Sequence, residues 1–262
     1  MPVEYLYILS GFVVGFIVGM TGVGGGSLMT PLLVLGFGIK PAIAVGTDLL
    51  YAAITKSGGI FVHHARGNVQ WNIVGWLCVG SVPATLAALL VIRHLDRSGV
   101  DYDHIIMTTL SIALILTASF LLLRNKIHEL SENERFDSIK VLHRKLRIPS
   151  TIFAGLLIGT LVTLSSVGAG VIGAVFLFML YPRLKTIQIA ATDLAHAVPI
   201  TAIAGLGHAH IGTVDYVLLG TLLIGSLPGI YLGSHVGSIL PEKIMRPLLA
   251  TMLFAIGIKL VI

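Results

Sequence analysis

The chain has 262 residues; 55% are hydrophobic and 11% are charged, the formal net charge is +5, and the mean hydropathy is +0.95. Soluble domains carry about 25% charged residues, so this composition excludes a disordered protein and a nucleic-acid module, and its single cysteine, Cys78, excludes a disulfide scaffold. It points to a chain whose solvent is lipid, with the charges concentrated in residues 124–149.

The start of the chain has no basic n-region, which argues against a cleavable signal peptide. Breaks at charge, Pro and Gly predict ten apolar helical segments: 5–21, 27–38, 41–62, 70–92, 103–123, 150–165, 171–181, 185–207, 214–236 and 241–262. A spanning helix needs about 20 residues. The first two segments are short and flank Gly22-Val23-Gly24-Gly25-Gly26. The sixth and seventh are also short and flank Ser166-Val167-Gly168-Ala169-Gly170. Broken or re-entrant helix pairs suit such lengths.

The chain repeats itself. Gly11, Gly15, Gly24 and Gly26 recur as Gly155, Gly159, Gly168 and Gly170. Thr47-Asp48-Leu49 recurs as Thr192-Asp193-Leu194, and Gly80, Ser81 and Pro83 recur as Gly225, Ser226 and Pro228. The matched residues are mostly polar or helix-punctuating, which marks a duplicated membrane half. The predicted organisation is a first transmembrane repeat (1–123), a charged linker (124–149) and a second repeat (150–262). The fold class is all-α and polytopic: two repeats, each with a broken or re-entrant pair plus three spanning helices. If each short pair goes in and comes back, twelve Lys/Arg side chains lie on the linker side and three on the other. The positive-inside rule then makes the linker cytoplasmic, both termini external and the halves inverted.

The glycine-rich breaks expose backbone N–H groups next to helix starts, an arrangement that holds an anion without a buried cation. The candidate binding residues are Gly24, Gly25, Gly26 and Ser27 in the first half and Gly168, Ala169 and Gly170 in the second. Thr47 and Thr192 are further hydroxyl contacts. Three ionisable residues sit inside apolar segments: Asp48, Asp193 and Lys56. Each costs at least ~2.5 kcal/mol at mid-bilayer and must face protein or water. The aspartates either relay protons or hydrogen-bond the free N–H groups of a neighbouring broken helix. Lys56 either attracts an anion, neutralises Asp48 or snorkels to the surface.

His63, His64, His208 and His210 are expected in short loops on opposite membrane faces, too far apart to share a metal. Trp71, Trp76 and Tyr216 fit an interfacial belt. No cofactor or metal site is expected. Enzyme motifs fail: there is no Gly-x-Ser-Gly, no His-Glu-x-x-His, and Thr47 and Thr192 stand where an intramembrane aspartyl protease has glycine.

The run Gly15-Phe-Ile-Val-Gly-Met-Thr-Gly-Val-Gly-Gly-Gly-Ser-Leu-Met-Thr-Pro-Leu-Leu33 resembles the opening of the TauE/SafE family, in the toluene sulfonate uptake permease superfamily. Ala44-Val-Gly-Thr-Asp-Leu49, Gly67-Asn-Val69 and Gly225-Ser-Leu-Pro-Gly229 are also similar to family elements. The resemblance implies a secondary transporter in a bacterial cytoplasmic membrane that exports a small sulfur anion such as sulfite or sulfoacetate. The alternatives are an anion channel, an importer of organosulfonates, or a membrane signalling component. The expected partners are a small inorganic or organosulfur anion and the lipid bilayer, with no nucleic acid; a homo-oligomer stays open.

Overall fold

The computed structural model describes residues 3–21, 26–132, 137–237 and 242–260, without the side chains of 21, 61–62, 124–145, 237, 242–246 and 248. Every element among these residues is helical: α1 (Val3–Thr21), α2 (Gly26–Pro31) continuing into a π-helical turn (Leu32–Gly36), α3 (Pro41–Ala65), α4 (Trp71–Arg97), α5 (Asp103–Glu132), α6 (Asp137–Ser165), α7 (Val171–Leu180), α8 (Thr186–Ile211), α9 (Tyr216–Gly237) and α10 (Glu242–Lys259). Six of them carry stretches long and apolar enough to cross a membrane: α1, α4, α5, α6, α8 and α9.

These lengths correct the reading of the short pairs. Only the second member of each pair is short, Gly26–Gly36 and Val171–Leu180. Eleven helical residues rise about 16 Å, half the hydrocarbon thickness. Their first members, α1 and α6, are full-length because the helix extends beyond the apolar run. The π turn follows Pro31, which has no N–H for the regular ladder. The linker is mainly helical as well, since α5 continues to Glu132 and α6 begins at Asp137.

Glycine stripes set the packing. Gly11, Gly15 and Gly19 of α1 lie on the backbone of Leu222, Ser226 and Ile230 of α9, where any Cβ would collide. The ascending pairs show that α1 and α9 run parallel. The repeat makes the same contact with the halves exchanged: Gly155 and Gly159 of α6 lie on Leu77 and Ser81 of α4. Close backbone approach is how helices gain contact in lipid, where apolar burial between them gives little.

The central pair is α3 with its repeat counterpart α8. Gly205 lies against Leu50 and Gly59 against Leu194, so this pair is antiparallel. Asp103 accepts from Ala42 N–H at 3.2 Å, which places the starts of α3 and α5 side by side. Asp215 at the start of α9 meets Thr47 near the start of α3. It follows that α1 begins at the end of the bundle opposite the one where the linker joins α5 to α6.

The outer faces are apolar. Tyr5, Leu9 and Val13 of α1, Leu86 and Leu90 of α4, and Tyr216, Ile224 and Tyr231 of α9 are exposed. Trp71, Trp76 and Tyr216 are also exposed, at or near the starts of α4 and α9. In the turn after α4, Tyr102 donates to Asp96 at 3.3 Å. Burial, helped by the neighbouring aspartates, pushes its phenol up to about 12.

Candidate functional site

The second helix break meets the start of α2 inside the bundle. Gly159 is level with Ser81, so α6 ends at Ser165 roughly ten residues, about 15 Å, before α4 ends at Arg97. Likewise α9 continues past the level where α1 stops, since Gly19 is level with Ile230 and α9 runs on to Gly237. After Ser165 the chain takes positive φ at Ser166 (57°), Gly168 (125°) and Gly170 (135°), and Gly170 caps α7. Backbone of this kind suits glycine. From the other half, Gly26 at the start of α2 lies on Ser166, where a Cβ would collide with the Ser166 carbonyl oxygen.

The second break connects three ionisable residues. At its start, the Ser166 side chain faces Asp48 on α3. Asp48 is fully buried, and its Oδ2 accepts from Thr30 Oγ1 at 2.6 Å. Further along, the Ala169 carbonyl accepts from Lys56 Nζ at 3.2 Å. At its end, Gly170 N–H points to the carboxylate of Asp193, whose Oδ1 packs on Gly173 in the first turn of α7. Lys56 is in electrostatic range of Asp193, Asp48 and His196. The antiparallel register puts Asp48 and Asp193 toward opposite ends of the α3–α8 pair, with Lys56 between them.

Several buried polar atoms here have no hydrogen-bond partner among the described residues: Asp48 Oδ1, Ser166 Oγ, Asp193 Oδ1, His196 Nδ1 and Tyr51 hydroxyl. Buried polar groups are nearly always satisfied by protein, water or ligand.

The structure brings Gly26, Gly168, Ala169, Gly170, Asp48, Lys56 and Asp193 together and buries Ser27 in α2. Gly24 and Gly25 lie outside the described residues. Thr47 and Thr192 are engaged elsewhere. Thr47 Oγ1 accepts from Asp215 N–H at 3.0 Å, ahead of α9, and Thr192 Oγ1 accepts from Gln70 N–H at 3.1 Å, ahead of α4. Each threonine thus holds the residue that precedes a helix of the opposite half.

The histidines are relocated. His63 and His64 lie in the last turn of α3, and His208 and His210 in the last turn of α8, because both helices run beyond the apolar segments. His208 is no loop residue: it is fully buried, donates from Nε2 to the Thr163 carbonyl at 3.1 Å, and has Nδ1 2.8 Å from the Thr213 hydroxyl. Among the described residues, no three His, Cys, Asp or Glu side chains are grouped to hold a metal ion.

Sequence reasoning missed His196 and Tyr51. Both are buried one turn after the aspartates, at equivalent repeat positions. His196 Nε2 is 2.9 Å from Ser81 Oγ, and Tyr51 faces Ser226, the repeat counterpart of Ser81. Extending the Thr-Asp-Leu match by two residues, to Leu50-Tyr51 and Ala195-His196, exposes the pair. Apart from the site, a separate apolar groove runs between α4, α5 and α6, lined by residues such as Val91, Ile105 and Leu156.

Comparison with known proteins gives a consistent result. The family described as Sulfite exporter TauE/SafE matches residues 7–260. A probable membrane transporter protein of Bacillus subtilis, YjnA, is 34% identical over 97% of this chain and 98% of its own length. The probable membrane transporter MJ0441 of Methanocaldococcus jannaschii is 27% identical over 97% of this chain and 93% of its own. No solved structure matches the chain.

Proposed function

We propose, from the premise that this chain belongs to the TauE/SafE family of membrane transporters, that it is a secondary transporter exporting a small sulfur oxyanion or organosulfonate. It lies in the cytoplasmic membrane with the linker inside and both termini outside. The halves are inverted; the antiparallel packing of the repeat-equivalent helices α3 and α8 supports this. So does the excess of Lys and Arg on the linker side.

The anion binds where Gly26 and Ser166 meet, between Asp48 and Lys56. The observation that carries this reading is Lys56. It is a half-buried lysine whose ammonium reaches the backbone of the other half's helix break. Among the described residues, Nζ uses one donor, leaving two of its three for a guest. Backbone N–H groups of the second break and the Ser166 hydroxyl complete the cradle. Thr47 and Thr192 hold helices in place and do not touch substrate.

The test is a binding screen of sulfite, sulfate, thiosulfate, sulfoacetate and taurine on purified protein by calorimetry. At least one anion binds, and Lys56→Gln weakens it at least tenfold. Equal binding by the wild type and the variant contradicts the site.

A further inference from the structure

The two halves are not equivalent at the site, and the differences converge on Asp193. In the first half, Asp48 receives the Thr30 hydroxyl. The repeat position of Thr30 is Ala174, so Asp193 has no such donor. Tyr51 is replaced by His196, and Lys56 by Thr201. One cation therefore serves two buried carboxylates. Asp193 is 4% exposed and His196 fully buried, and Asp193 Oδ1 and His196 Nδ1 have no partner among the described residues.

Among the described residues, helix α7, packed on Asp193, has no titratable side chain, and α4 places the Ser81 hydroxyl on His196. On α3, His63 lies one turn beyond the Gly59 that meets Leu194, and its buried Nδ1 has no partner among the described residues. Lys56 and, farther off, Asp48 are the charges facing it from α3, and His196 is the titratable group on its own helix.

We propose that the substrate anion and Asp193 compete for Lys56, so that the anion is carried together with a proton taken up by Asp193. When the anion occupies the free donors of Lys56, Asp193 loses its counter-charge. A buried carboxylate without a counter-charge is strongly disfavoured. The proton goes to Asp193 Oδ1, and His196 Nδ1, one helical turn away, supplies the exchange route. When the anion leaves, the proton leaves and Lys56 again compensates Asp193. This coupling rests on the transport reading above; an inward proton gradient then opposes export, so net export runs down an outward gradient of the anion.

The test uses the full chain in proteoliposomes with the membrane potential clamped at zero. The probe is radiolabelled sulfoacetate, whose sulfonate stays charged and does not leak as a neutral acid. With one proton per anion, a gradient of one pH unit drives about tenfold accumulation, since a factor of ten is about 1.4 kcal/mol. A pH dye trapped in the vesicles reports protons moving in step with the anion. In Asp193→Asn the ratio of accumulation with and without the gradient falls to about 1. Wild-type uptake that proceeds without dye response or gradient dependence overturns the coupling and leaves the transport reading standing. An Asp193→Asn protein that still accumulates tenfold also overturns it. No movement of labelled sulfoacetate, sulfite, sulfate, thiosulfate or taurine in the wild type under any gradient overturns the transport reading, and the coupling with it. The dye measurement on the wild type decides the matter even if the variant does not fold.

Discussion

At the residue scale, the cost of burying charge sets the balance around Asp48, Asp193 and Lys56. Asp48 is held by one short hydroxyl bond from Thr30. Thr30→Val leaves that carboxylate oxygen unsatisfied and costs about 1–3 kcal/mol of stability, read as an earlier denaturation midpoint in detergent. The sequence made Asp48, Asp193 and Lys56 legible because charge in an apolar segment needs a reason. It did not show which break each residue serves. Lys56 reaches Ala169, 113 positions away, through the antiparallel pairing of α3 and α8, and no local pattern encodes that contact. His196 escaped notice because a lone histidine in an apolar run reads as core; only its partnership with Ser81 distinguishes it.

At the element scale, the glycine excess resolves into two uses. Part of it forms the stripes on α1, α9, α4 and α6, and part shapes the break before α7. Gly15→Leu forces α1 off Ser226 of α9. Overpacking of this kind costs typically 1–3 kcal/mol, measured as a loss of monodisperse protein on size exclusion and a lower Tm. Gly170→Ala strains a backbone at φ 135° that side chains rarely adopt, and moves the N–H that points to Asp193. Its effect falls on anion binding more than on stability.

The two cross-half threonine contacts make a paired prediction. Thr47→Val and Thr192→Val each remove one cross-half hydrogen bond, costing on the order of 1 kcal/mol, with anion affinity unchanged within twofold by calorimetry. Repeats, breaks and helices were readable from the sequence because spacing and punctuation carry them. Helix ends were not: α1, α3, α6 and α8 all outrun their apolar segments, since hydropathy marks where lipid stops and not where hydrogen bonding stops.

At the scale of the whole molecule, the same contacts recur with the halves exchanged, α1 on α9 and α6 on α4, around the central antiparallel pair. That geometry fixes the first residues of α1 and the linker at opposite ends of the bundle. Single cysteines introduced into a Cys78→Ala background test the sidedness. A membrane-impermeant thiol reagent added outside labels His210→Cys and misses Arg66→Cys; the reverse pattern contradicts the proposed orientation. In the sequence the excess of Lys and Arg on the linker side points to this orientation, while the contact of Gly26 with Ser166 required the fold.

The central claim is that one anion site forms where Gly26 and Ser166 meet and that Lys56 serves it. Counterflow of labelled sulfite into proteoliposomes preloaded with unlabelled sulfite, at equal pH on both sides, tests it most directly. The account predicts protein-dependent exchange in the wild type that falls at least tenfold in Lys56→Gln. Exchange of equal rate in both proteins, or none beyond that of protein-free vesicles, contradicts it.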